Sequence, residues 1–192
     1  TQTPQDEAAG RTQWRFELAP APSSSQGAAA NLADRLQHSA QEATQQLIEA
    51  RGEPAPPALV QTACAVRWSE LGLLAELAHH AEAARQPMSF LLAQMRLALN
   101  RDLPPPGLRF APTDPANPDS GGLWITEHPL TQPPLADRLE QFIVEQLEAG
   151  PAAADTLSKA AYAAFPGWQT PDAALLAACL ASYAQPDGEH LR

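Results

Sequence analysis

Lysine is all but missing from this chain: eleven of its 12 basic residues are arginine, and Lys159 is the exception. Bases are outnumbered by 22 acids, for a formal net charge of −10. Binding to nucleic-acid backbones rests on many Lys and Arg contacts to phosphate, so direct DNA binding is not expected of the chain as a whole. Aromatic residues are scarce at 6%, and there are two cysteines, Cys64 and Cys179, each in an apolar stretch. Their separation argues against a disulfide framework, and they read as buried thiols. No apolar run approaches the roughly 20 residues of a spanning helix, so no membrane contact is expected. The chain begins with Thr and shows no leader pattern, and is expected to be cut from a longer cytoplasmic protein.

What the chain has in quantity is alanine and proline, which with the arginine bias point to a GC-rich bacterial genome. Hydrophobic residues make up 44%, but alanine buries little area, so close-packed helices with a few Trp, Phe and Leu anchors are expected. Residues 1–27 read as a flexible segment, with Trp14–Leu18 alternating as a short strand or extended anchor. A helix is predicted over 28–51, where Leu32, Leu36, Ala40, Ala43, Leu47 and Ile48 fall on one face and Gly52 and Pro54 stop it. Pro56-Pro57 opens a second helix to about 84, with Gly72 placed to bend or split it. Pro87 opens a third, to about 100. Residues 101–121, rich in Pro, Asp, Asn and Gly, read as a linker between a helical domain (28–100) and a second domain (122–192).

That second domain reads as a strand at Leu123–Ile125 and helices over 135–149, 153–164 and 171–183. Thr170 is the predicted N-cap of the last. A turn at Pro186–Gly188 follows. The fold class is mainly α: an N-terminal helical bundle followed by a winged-helix-like domain with short strands. Trp124 and Trp168 read as core or inter-domain anchors, and Tyr183 as part of the same packing. Leu-Ala-Asp-Arg-Leu occurs at 32–36 and again at 135–139, but the flanking apolar phase differs, which argues against a true repeat.

Motifs of catalysis are absent from the sequence. The glycines at 121–122 lack the lysine and spacing of a phosphate loop, and no Gly-x-Ser-x-Gly is present. His79-His80 is the only histidine pair, and adjacent helical residues point about 100° apart, so the two do not share a metal from one turn. No catalytic residue, metal or cofactor is expected. In a winged helix the third helix would read DNA, and base reading needs Arg, Lys, Asn or Gln on an exposed face. The segment 171–184 has no Arg or Lys, and from 133 to 192 eight acids face three bases. Arg96, Arg101 and Arg109 form the one arginine group available for an accessory DNA contact.

Four short segments arrive in a familiar order: Pro134–Glu140, Ala161–Gly167, Thr170–Asp172 and Leu180–Ala184. Trp124-Ile125 precedes them, and Glu49–Pro54 lies upstream. With these the chain resembles the non-catalytic C-terminal region of large bacterial DNA methylases, the adenine-specific type found in restriction and phage-defence systems. The resemblance covers the last 70 residues well and 30–100 weakly. It implies an interaction or structural module of a DNA-modification protein, partnered by another protein or by the rest of its own polypeptide. It brings no catalysis, because the Asn/Asp-Pro-Pro-aromatic loop and the glycine-rich cofactor turn of that family are missing; Pro104–Pro106 and Asn117-Pro118 do not match.

Overall fold

The computed structural model describes residues 25–80, 83, 85–114, 116, 121–184, 186, 187, 190 and 191, with side chains only between 31 and 184. Residues 1–24, including the Trp14–Leu18 segment, lie outside the described residues. The chain is mainly helical, with two small two-stranded antiparallel sheets among the described residues.

Helix α1 (Ser25–Arg51) lays its apolar stripe against α2 (Pro57–Glu70), α3 (Leu73–Ala78) and α4 (Pro87–Ala98). Leu36, Ala40, Leu47 and Ile48 are buried as the 3.6-residue spacing predicts, and face Val60, Cys64 and Trp68. The Trp68 indole is fully buried, and its Nε1 donates to the Leu36 carbonyl at 3.3 Å, so its one polar atom is satisfied. Among the described residues the helix expected over 57–84 is split, into α2 and α3. Gly72 takes φ +73°, a left-handed conformation open to glycine, and turns the chain between α2 and α3.

The composition of 101–121 conceals a strand. β1 (Leu108–Pro112) pairs antiparallel with β2 (Gly122–Thr126), Phe110 opposite Trp124 and Pro112 opposite Gly122. Pro112 is tolerated because it ends the ladder, where its missing N–H costs little. β2 was expected to open the second domain. Instead it belongs to the first: Ala55 exchanges two backbone hydrogen bonds with Trp124, at 2.8 and 2.9 Å, and Leu108 and Trp124 enter the α1–α4 core. Residues 101–121 are therefore not the boundary. The first core runs through β2, and the chain leaves it over residues 127–134.

A second, smaller core follows. α5 (Leu135–Ala149), α6 (Ala154–Ala164) and α7 (Ala173–Tyr183) pack through Leu135, Leu139, Ile143, Phe165, Leu176 and Cys179. Phe142 meets Phe165 edge to face, centroids 5.7 Å apart. A 3₁₀ turn (Gly167–Gln169) joins α6 to α7. The predicted cap of α7 moves two residues: Asp172 is the N-cap and its Oδ1 accepts from Leu175 N–H at 2.8 Å, while Thr170 closes the 3₁₀ turn. A carboxylate at the N-cap also suits the positive end of the helix. Two-residue strands β3 (Pro186–Asp187) and β4 (His190–Leu191) pair antiparallel after α7. β2 pairs with β1 and bridges to Ala55, so the strand expected ahead of the three helices is committed to the first core.

Candidate functional site

The two cores meet at the C-terminal end of α1. The last carbonyls of a helix have no partner within it and must be satisfied from outside. Arg138 on α5 does this for Ala50, donating from Nη2 at 2.7 Å, and also donates from Nη1 to the Gln132 and Gln169 side chains at 3.2 and 3.4 Å. A cation at a helix C-terminus has the favourable sign for the helix dipole. Arg51, in the last turn of α1, pairs with Glu53 at 2.9 Å and donates to the Trp168 carbonyl at 3.4 Å. Gly52 ends α1 at φ +68°, and a side chain there would run into the Pro133 carbonyl. Trp168, half-buried on the 3₁₀ turn, packs against the first core. The segments 49–54, 134–140 and 167–169, far apart in sequence, converge on this one junction.

The outer face of α7 has a different character. Ala173, Ala174, Ala177, Ala178, Ala181 and Ser182 are all exposed. That face carries no cation and no amide side chain, so it offers neither phosphate neutralisation nor the donors that read base edges. Tyr183, expected as an interaction or core anchor, is 44% exposed, and its hydroxyl donates to Glu140 Oε2 at 2.9 Å. That hydrogen bond to a carboxylate holds the phenol above its ordinary range.

The three arginines do not act as one group. Arg96 and Arg101 line a single cleft of about 530 Å³ between the start of α2, the end of α4 and Trp124. The Arg101 guanidinium lies 4.3 Å from the Phe110 ring centroid, a cation–π distance. Arg109 sits between Leu108 and Phe110 on β1 and is exposed, so strand alternation turns it to the opposite face. Trp124 covers a helical core as expected, but the core is that of the first domain.

Neither thiol is presented as a nucleophile. Cys64 is fully buried and desolvation pushes it up to about 12; burial, then the Glu140 carboxylate, raises Cys179. His79 and His80 are exposed, and His80 lies against the Phe90 ring at 5.6 Å. Among the described residues no group of three or more His, Cys, Asp or Glu is placed to hold a metal, and no helix is long and apolar enough to cross a membrane. The junction was only partly legible from residue chemistry: Arg138 reads as an ordinary surface arginine of an amphipathic helix, while the stop signal at Gly52 and the reading of Trp168 as an anchor marked the region. No family model matches the chain, and no match was found among curated proteins or solved structures.

Proposed function

We propose that this chain is a non-catalytic interaction module of a bacterial DNA-modification protein, with a helical first domain and a winged-helix-like second one. The outer face of α7 carries this reading. In a winged helix that position would meet DNA, and here it presents alanines and a serine on a domain with an excess of acids. Small side chains let another protein's backbone or helix approach closely, and acidic surroundings repel phosphate. The helix order α5–α7 followed by the β3–β4 hairpin supports the winged-helix part of the proposal. The resemblance of the segments at the junction to the methylase C-terminal region supports its setting.

The test is co-expression with the rest of its polypeptide or the products of adjoining genes, followed by size-exclusion chromatography. A stable complex is expected, lost on Ala177→Arg with no change in thermal unfolding. No complex with any of them would overturn the proposal. The competing reading is an accessory DNA-binding domain using Arg96, Arg101 and Arg109. It is weakened by Arg109 facing away from the other two, and salt-dependent DNA titration separates the two readings. DNA binding by the whole chain at low salt, reduced by Arg109→Gln, would favour it.

A further inference from the structure

Helix α4 carries apolar surface that its own core does not use. Met88 is 65% exposed and Leu97 71%, and Ala93 between them in sequence is exposed as well. Ser89, Ala93 and Leu97 stand four residues apart and form one row along the helix, with half-buried Phe90 and Gln94 in the next. Here the surface is hollowed into a trough of about 370 Å³, lined by Arg85, Gln86, Ser89, Phe90, Ala93 and Gln94. In a chain of net charge −10, the sequence from 83 to 101 holds no acid. Arg85, at the rim, has no carboxylate partner among the described residues. An apolar trough with a positive rim suits an apolar segment that carries an acid.

The trough lies beside the N-terminal half of α1. Arg35 of α1 grips Glu76 of α3, His80 just after α3 lies against Phe90, and Phe90, Leu91 and Leu92 pack on the core that holds Leu36. Ser25 opens α1 about 15 Å before Arg35. The seven residues from Leu18 to Ser25 span up to about 24 Å when extended, so the start of α1 leaves Trp14–Leu18 within reach of α4. These five residues, Trp-Arg-Phe-Glu-Leu, alternate apolar and polar. An extended chain repeats its side chains on one face every ~6.8 Å, close to the ~6 Å between residues four apart on a helix. Trp14, Phe16 and Leu18 therefore match the row Leu97, Ala93, Ser89 in spacing. We propose that Trp14–Leu18 docks in extended form along α4 of the same chain, with Leu18 at Ser89, Phe16 over Ala93 and Trp14 at Leu97. Glu17 then meets the Arg85 guanidinium at the rim. The tether supplies an effective concentration of about millimolar, which populates even a weak contact. The proposal does not rest on the interaction reading above.

The test is paramagnetic NMR on the full chain. Both native thiols are buried, so a nitroxide on Gln13→Cys reports on this segment alone. The methyl signals of Ala93 and Leu97 are expected to broaden, and that of Ala177 on α7 is not. Phe16→Ser should lower the ratio of docked to free segment about tenfold or more, as loss of a buried aromatic side chain predicts. Ala93→Arg, at an exposed position, should remove the broadening with unchanged thermal unfolding. In a mixture of nitroxide-bearing chain and separately isotope-labelled chain, no broadening is expected. Broadening there of equal strength would assign the trough to the segment of a second copy and overturn docking within one chain. Sharp Ala93 and Leu97 signals in the nitroxide-bearing chain, or broadening unchanged in both Phe16→Ser and Ala93→Arg, would overturn the proposal altogether.

Discussion

The pentapeptide Leu-Ala-Asp-Arg-Leu stands in both domains, and the two copies do opposite work. In α1 its leucines, Leu32 and Leu36, face the first core and Arg35 points to solvent, where it forks onto the Glu76 carboxylate of α3 with two contacts of 2.8 Å. In α5 the leucines Leu135 and Leu139 are fully buried, and Arg138 reaches out of its own domain to cap the end of α1. The leucine spacing fixes which face is buried in both cases. The arginine's role is set by what lies within its reach: a carboxylate of its own domain in water in one copy, an orphan helix carbonyl of the other domain in the second.

Substitutions along this comparison should rank in a definite order. The largest effect is expected from Gly52→Ala, which puts a side chain at φ +68° against the Pro133 carbonyl and forces the domains apart. Left-handed strain and overpacking together predict a loss of about 2–4 kcal/mol in urea unfolding. A loss under about 1 kcal/mol would mean that the junction yields without cost. Arg138→Met comes next. It keeps the aliphatic stem but strips the Ala50 carbonyl of its charged donor, and about 2 kcal/mol is expected. Limited proteolysis should then cut between residues 127 and 134 sooner than in the wild type.

Arg35→Met should cost at most about 1 kcal/mol, since both partners are 45% exposed, and the difference from wild type should shrink as salt is raised. A cost equal to that of Arg138→Met would break the distinction drawn between the two copies. The smallest effect at neutral pH belongs to the ionisation of Cys64. Its folded thiol sits at about 12 against an ordinary 9.0, so the proton is held more tightly in the folded state. The stability this contributes is complete below pH 9 and is lost as pH rises from about 9 to about 12. Cys64→Ala should flatten the slope of unfolding free energy against pH across that window; an unchanged slope would mean that the thiol is not the group responsible.

The two domains also differ in how far their sequences announced them. Helix positions were legible throughout, because Leu36, Leu47, Leu139 and Ile143 follow the helical period and Pro57, Pro87 and Gly52 punctuate it. Strand β1 was not, since five residues flanked by prolines and glycines carry too short an alternation to stand out. Its partner β2 was visible, yet a strand's partner is a long-range fact, so Trp124 was assigned to the wrong core. The α7 cap slipped from Thr170 to Asp172 because both residues accept hydrogen bonds and only the geometry of the 3₁₀ turn decides between them. Of the junction, Trp168 was foreseen as an anchor. Arg138 was not, because an arginine that caps another helix has no local signature. The cleft was glimpsed only as three nearby arginines, and strand alternation removes Arg109 from them.

Helix α1 is a rod. Its 27 residues span about 40 Å at 1.5 Å per residue. It is strapped to α3 at Arg35, and its C-terminal end carries the second core through Arg138 and Trp168. A tilt of about 5° pivoted at Arg35 would sweep that end by about 2 Å, since the stretch from there to Arg51 is about 24 Å long. The molecule thus has the mechanics of a lever: small changes in packing around α3 and the first half of α1 become displacements of the second core and of α7 within it.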